Sequence, residues 1–169
     1  VDFGTLSPEL RAQLERVPPS DDRGVAYRPC RVRLRSGAWR DYVYVLDADE
    51  YHRAWGVWPA DDRAKREILV DDVVEIEESP HRLPAALASR IYAGGESGMG
   101  YTMFTVVLRD GRRLPRVVGN AVDFPVLPVG VTTDDVADVV REGREVFRHR
   151  SPRPDEGAAH YAWCLYRAT

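Results

Sequence analysis

Residues 27–35 alternate along the chain. Cys30, Val32 and Leu34 would face one side of a strand, and Arg31, Arg33 and Arg35 the other. Ser36-Gly37 suits a tight hairpin turn, and Trp39 to Leu46, rich in Tyr and Val, reads as the return strand. The pattern then recurs. Tyr27, Val32, Leu34, Arg35 and Gly37 are matched 74 residues later by Tyr101, Val106, Leu108, Arg109 and Gly111. Each copy goes on to a second shared phrase, Val70-Asp71-Asp72-Val73 in the first and Thr133-Asp134-Asp135-Val136 in the second. The glycine lies 34 residues before the first Asp of that phrase in copy one and 23 before it in copy two. A duplicated β-rich module with one longer connection accounts for this.

The remaining segments fill in around the two copies. Ser7-Pro8-Glu9 starts a helix, and Leu6, Leu10, Leu14 and Val17 give it a narrow apolar stripe. Ala54 to Trp58 suggests a short strand ended by Pro59, and two further short strands flank the Asp71-Asp72 corner. Leu83, Leu87 and Ile91 predict a short helix over 84–92, closed by Gly94-Gly95. Tyr101 to Arg109, Asp110-Gly111 and Arg113 to Val118 form a second hairpin. Two expectations compete beyond Thr133. The repeat predicts a corner and a short strand, whereas Thr133 as cap with Val136, Val139, Val140, Val146 and Phe147 on one face favours a helix despite Gly143; the local pattern tips the expectation to the helix. The tail carries Tyr161, Trp163, Leu165 and Tyr166 and should dock on the body, with an added strand as one form it could take.

These elements predict an α+β protein of two related small antiparallel β modules with peripheral helices, with SH3-like partial barrels as one form the modules could take. The divisions are an N-terminal helical arm (1–22), a first β module (23–80), a connecting helix and second β module (81–150), and a linker with a docked aromatic tail (151–169), all of which could share one compact domain.

Charge changes the picture more than composition does. The 169 residues carry a net charge of −3, so bulk charge does not point to nucleic acid. The segment 47–78 is different: eleven acids face four bases, a net −7, which leaves the remainder near +4. Asp47, Asp49, Glu50, Asp61, Asp62, Asp71 and Asp72 are the candidate contacts for a basic protein partner. A plain solvated surface has the same composition. Of the 24 basic residues, only Lys65 is a lysine. Cys30 and Cys164 make no metal-ligand spacing and no disulfide framework. No cofactor or metal is expected, no apolar run suits a membrane span, and a cytoplasmic location is the expectation.

Two further candidates carry chemistry. Arg31, Arg33 and Arg35 stand about 7 Å apart in succession on a strand, a workable match to phosphates, with Trp39 and Tyr42 nearby to stack on bases. The alternative is a solvated face paired to local acids. The glycine-rich stretch from Gly94 to Gly100, with Glu96, Ser97, Gly98, Gly100 and Tyr101, could approach a ligand closely. It follows a helix and precedes a strand, the reverse of a phosphate-binding loop, and lacks the last glycine of a nucleophile elbow. Tight connection is the plainer reading. Trp39, Trp55, Trp58 and Tyr44 could form an aromatic face or simply pack a core.

From about Glu50 onward the chain resembles a group of bacterial proteins without an assigned activity. Tyr51 to Trp58, Pro80 to Tyr92, Gly95-Glu96-Ser97-Gly98-Met99-Gly100-Tyr101, Phe104-Thr105-Val106 and Gly119-Asn120-Ala121-Val122-Asp123-Phe124 carry the likeness. The resemblance implies a bacterial source and an intact globular domain, and it brings no activity, cofactor or catalytic residue. The leading expectation is therefore a non-catalytic interaction protein. Single-stranded nucleic-acid binding through the arginine strand comes next, and a small hydrolase or ligand-binding enzyme at Ser97 third.

Overall fold

A computed structural model describes residues 2–141 and 153–168. Among them three α-helices and ten strands form an α+β fold, and neither larger sheet closes into a barrel. The chain separates into two compact units. The first comprises Val1–Ser20, Gly24–Ser79 and His160–Thr169; the second comprises Asp21–Arg23 and Pro80–Ala159.

In the first unit, helix α1 (Pro8–Glu15) begins where the Ser7 hydroxyl accepts the amide of Leu10 at 3.2 Å. After the short strand β1 (Ser20–Asp22), whose last two residues belong to the second unit, and β2 (Val25–Tyr27), β3 (Pro29–Leu34) and β4 (Trp39–Asp47) form the expected hairpin. Helix α2 (Ala48–Trp55), β5 (Arg66–Glu67) and β6 (Val73–Glu78) follow. The tail enters as β10 (Ala162–Tyr166), parallel to both β4 and β5, and the sheet order is β5-β10-β4-β3-β6. Leu6, Leu10, Leu14 and Val17 join Val32, Val43, Val45, Ile76 and Cys164 in one buried cluster. The helix also treats the sheet edge: Gln13 Oε1 accepts the amide of Ile76 at 2.8 Å. The Arg28 guanidinium donates to the carbonyls of Leu14 and Val17, at the end of the helix and just beyond its cap.

Helix α2 replaces the strand expected over Ala54 to Trp58. The Asp47 carboxylate accepts the amides of Asp49 (2.9 Å) and Glu50 (3.1 Å), a strong N-cap. Gly56, at φ +70°, ends the helix in the left-handed conformation. The aromatic content of the segment argued for a strand, but the cap and the terminating glycine decide it.

The second unit contains α3 (Ala85–Ala93), β7 (Thr102–Leu108), β8 (Arg113–Val118) and β9 (Val136–Val140), in the sheet order β8-β7-β9. It repeats the core of the first unit in register. β3 lies between β4 and β6 as β7 lies between β8 and β9. Leu34 pairs with Val73 and Leu108 with Val136, each beside a register shift. A 3-10 turn precedes β6 in the first unit and β9 in the second, Val70–Asp72 and Thr133–Asp135. The helix expected from Thr133 onward is therefore not formed over the described part. Thr132 caps a 3-10 turn and Val136 to Val140 is a strand. Gly143, Val146 and Phe147 lie outside the described residues.

Candidate functional site

The arginine strand meets acids across the sheet. Register places Arg31 opposite Glu77 and Arg33 opposite Glu75. Arg31 donates to Glu77 at 2.5 Å and Arg33 to Glu75 at 2.7 Å, while the Arg31 guanidinium lies 4.8 Å from the Trp39 ring centroid. Arg35 donates to the carbonyl of Asp71 at 2.8 Å. All three cations are thus engaged by the protein itself.

The acids of 47–78 divide by role. Asp47 caps α2 and also accepts the amide of Ala168 at 3.0 Å. Glu75 and Glu77 answer the arginines. Asp49, Asp61, Asp71, Asp72 and Glu78 are exposed, and Leu69 stands beside the Asp71-Asp72 corner with 63% of its surface in solvent.

The glycine-rich loop is held closed on itself. Ser97 Oγ accepts the amide of Met103 at 2.8 Å and a contact from Arg141 at 3.4 Å. Glu96 accepts the amide of Gly100 at 3.3 Å. Gly98 lies under the Tyr101 ring so closely that a Cβ would come within 2.4 Å of it, and Gly100 sits at φ +80°. Both glycines therefore have structural reasons. Below the loop, a cavity of about 250 Å³ is lined by Arg90, Ile91, Val139, Val140 and Arg141. Its two guanidiniums are bound to the carbonyls of Val139, Ile91 and Gly95.

Sequence reasoning missed two constellations. The first is a buried polar network in the second unit. Asp123 and Arg82 are both buried, with Oδ1 and the guanidinium 3.7 Å apart. The Tyr92 hydroxyl donates to Asp123 Oδ2 at 2.6 Å and accepts the amide of Val122 at 3.1 Å. It joins residues from Pro80 to Tyr92 with Asp123.

The second is an aromatic cluster around Trp163 in the first unit. Trp163 is wholly buried, and Tyr27, Tyr44, Tyr51, Trp55 and Tyr161 stand around it with ring centroids 4.9–6.0 Å away. Its indole N–H has no acceptor. On the rim sits Lys65. Its ammonium is 3.0 Å from the Tyr51 hydroxyl, 3.8 Å from the Asp62 carboxylate, 4.4 Å from the Trp55 centroid and 5.3 Å from that of Tyr51. Burial lowers the Lys65 pKa, with Asp62 acting against it. Burial raises that of Glu67, and burial followed by the Asp62 charge raises that of the Tyr51 phenol. The single lysine was visible in the sequence. Tyr51 and Trp55, four residues apart, share a face only because α2 is a helix, so the strand expectation separated them.

No protein-family model, curated protein or solved structure matches the chain. Among the described residues no helix is long and apolar enough to cross a membrane, and no group of three or more His, Cys, Asp or Glu is placed to hold a metal ion.

Proposed function

We propose that this is a non-catalytic binding protein that takes a basic protein partner on the acidic segment 47–78. One observation carries the reading. Arg31 and Arg33 neutralise only Glu77 and Glu75 of that segment, while Asp49, Asp61, Asp71, Asp72 and Glu78 remain exposed. A surface of that kind attracts a cationic partner and loses hold of it as salt rises. Leu69 and Val74, the latter 38% exposed, add apolar contact beside the Asp71-Asp72 corner. The engagement of Arg31, Arg33 and Arg35 leaves the nucleic-acid reading without a specific observation in its favour.

The test is capture from host lysate at low and moderate salt by three proteins: the wild type, a variant with Asp49, Asp61, Asp71 and Asp72 all changed to Asn, and an Arg31/Arg33/Arg35→Ala variant. A basic protein retained at low salt by the wild type and the arginine variant, and lost by the Asn variant, is the expected result. Retention unchanged by the four Asn substitutions overturns the reading.

A further inference from the structure

We infer that Tyr51, Trp55 and Asp62 form a seat for the ammonium group of a lysine side chain on the partner, and that Lys65 occupies this seat as an internal place-holder which the partner displaces. The inference rests on the basic-partner reading and names the contact that would anchor it.

The seat gathers groups that attract an ammonium and sets them against the cost of burying it, which holds the Lys65 pKa down. An ammonium lies over the Trp55 ring at 4.4 Å and within 5.3 Å of the Tyr51 centroid, with a phenol oxygen at 3.0 Å and a carboxylate at 3.8 Å. Aromatic faces attract cations through their quadrupole, more strongly where water is partly excluded.

The walls do not depend on the cation. Trp55 donates its indole N–H to the Tyr27 hydroxyl at 3.2 Å. Tyr51 and Trp55 both meet the buried Trp163 edge-to-face, at 65° and 66°, and stack on each other at 13°. Removing Lys65 should therefore leave the seat standing, and a preformed site binds with less ordering cost.

The occupant, by contrast, comes from the sheet margin. Lys65 follows an Asp62 turn, closed by bonds from the amides of Ala64 and Lys65 at 2.9 Å each, and precedes β5, a two-residue strand paired to β10. Its identity is also informative. Every other basic residue in the chain is Arg. An ammonium is a compact point charge, whereas a guanidinium is a planar fork. The seat holds the former, so it should prefer lysine-type ligands.

The experiment empties the seat and refills it. Lys65→Ala is titrated with n-butylammonium, which carries the four-carbon chain and ammonium of a lysine side chain, and with n-butylguanidinium, by tryptophan fluorescence. The expected result is saturable binding of n-butylammonium about tenfold tighter than of n-butylguanidinium, with no response from the wild type or from Lys65→Ala/Trp55→Ala in the same range. If Lys65→Ala does not fold alone, n-butylammonium should restore its folding and n-butylguanidinium should not. A folded Lys65→Ala that shows no saturable response, or a wild type that responds equally, overturns the seat. So does an unfolded variant that n-butylammonium fails to restore.

A second arm compares an oligolysine with an oligoarginine of equal length. Lys65→Ala should bind the oligolysine about tenfold tighter than the wild type does, with little change for oligoarginine. Equal oligolysine affinity of variant and wild type overturns the place-holder role. Failure of either arm while lysate capture still depends on the four aspartates removes this inference and leaves the basic-partner reading intact.

Discussion

Arg35 reaches the turn before β6 and donates through Nε to the main-chain carbonyl of Asp71 at 2.8 Å. Its own amide donates to the Asp72 carbonyl, also at 2.8 Å. The second unit repeats both bonds: Arg109 Nε to Asp134 at 2.9 Å and Arg109 amide to Asp135 at 2.8 Å. One arginine after each hairpin strand therefore ties the hairpin to the 3-10 turn that starts the third strand. Arg35→Ala and Arg109→Ala should each destabilise their own unit by about 1 kcal/mol, the scale of a charge-assisted bond in partial solvent. Arg31→Ala, which removes only a half-exposed ion pair and a ring contact, should cost less. All four tryptophans lie in the first unit. Urea unfolding followed by tryptophan fluorescence thus reads the Arg35 variant, and amide exchange in β7 to β9 reads the Arg109 variant.

The same arrangement shows what the sequence could disclose. The duplication was readable because the hairpin turns need glycine, at φ +88° for Gly37 and +89° for Gly111, and because the Asp-Asp corners recur. The third strand of copy two was obscured by its register shift. Leu108 pairs with Val136 but Val107 pairs with Asp138, so Ala137 is an extra residue and the buried positions Val136 and Val139 fall three apart. Val73 and Ile76 do the same in copy one. A bulged strand thus imitates the spacing of a helix, and pairing with β7 decides the outcome. The candidate site was legible in residue types only. That Glu75 and Glu77 face Arg33 and Arg31 depends on register, and the Lys65 seat depends on α2 bringing Tyr51 and Trp55 to one side.

The Arg82–Asp123 pair makes a sharper demand on its surroundings. Asp123 is fully buried and also fixes the chain through its carbonyl, which accepts the Leu83 amide at 2.8 Å. Asp123→Ala should destabilise the second unit by about 3–5 kcal/mol, because it leaves Arg82 buried without its carboxylate. Tyr92→Phe removes the hydroxyl bonds to Asp123 and Val122 and should cost about 1–3 kcal/mol. The check is denaturant unfolding of both variants followed by amide exchange in the second unit. A loss below about 1 kcal/mol for Asp123→Ala would mean that Arg82 finds another partner.

Cys30 and Cys164 are both buried and carry no disulfide. They sit on β3 and β10, which flank β4 on opposite sides. Two strand spacings are roughly 9–10 Å, beyond the reach of a disulfide at about 7 Å, so native protein should show no bridge and no thiol labelling at pH 8. Burial, assisted by Glu67, pushes the Cys164 thiol from its ordinary 9.0 up to about 12. A folded value above the unfolded one means a stability contribution that is full below pH 9 and lost as pH rises toward 12. The Tyr51 phenol is raised in the same sense, mainly by burial. Lys65 runs the other way: its folded value is lowered, so its contribution is present above 10.5 and lost as pH falls. Urea midpoints should therefore drop between pH 8 and pH 10.5, and drop less in Cys164→Ala than in the wild type.

The placement of β10 bears on how the chain acquires its shape during synthesis. β10 is the strand between β4 and β5, yet Ala162 leaves the ribosome 115 residues after Asp47. All the residues of the second unit precede it. A nascent chain can therefore complete the second sheet while the first still holds an unfilled slot beside β4. Tyr44 and Tyr51 wait in that interval for the Trp163 ring that will cover them. Closing so long a loop is entropically slow, and domains that emerge whole fold as units during translation. The first unit's sheet therefore cannot be completed until the residues of the second unit have all been made.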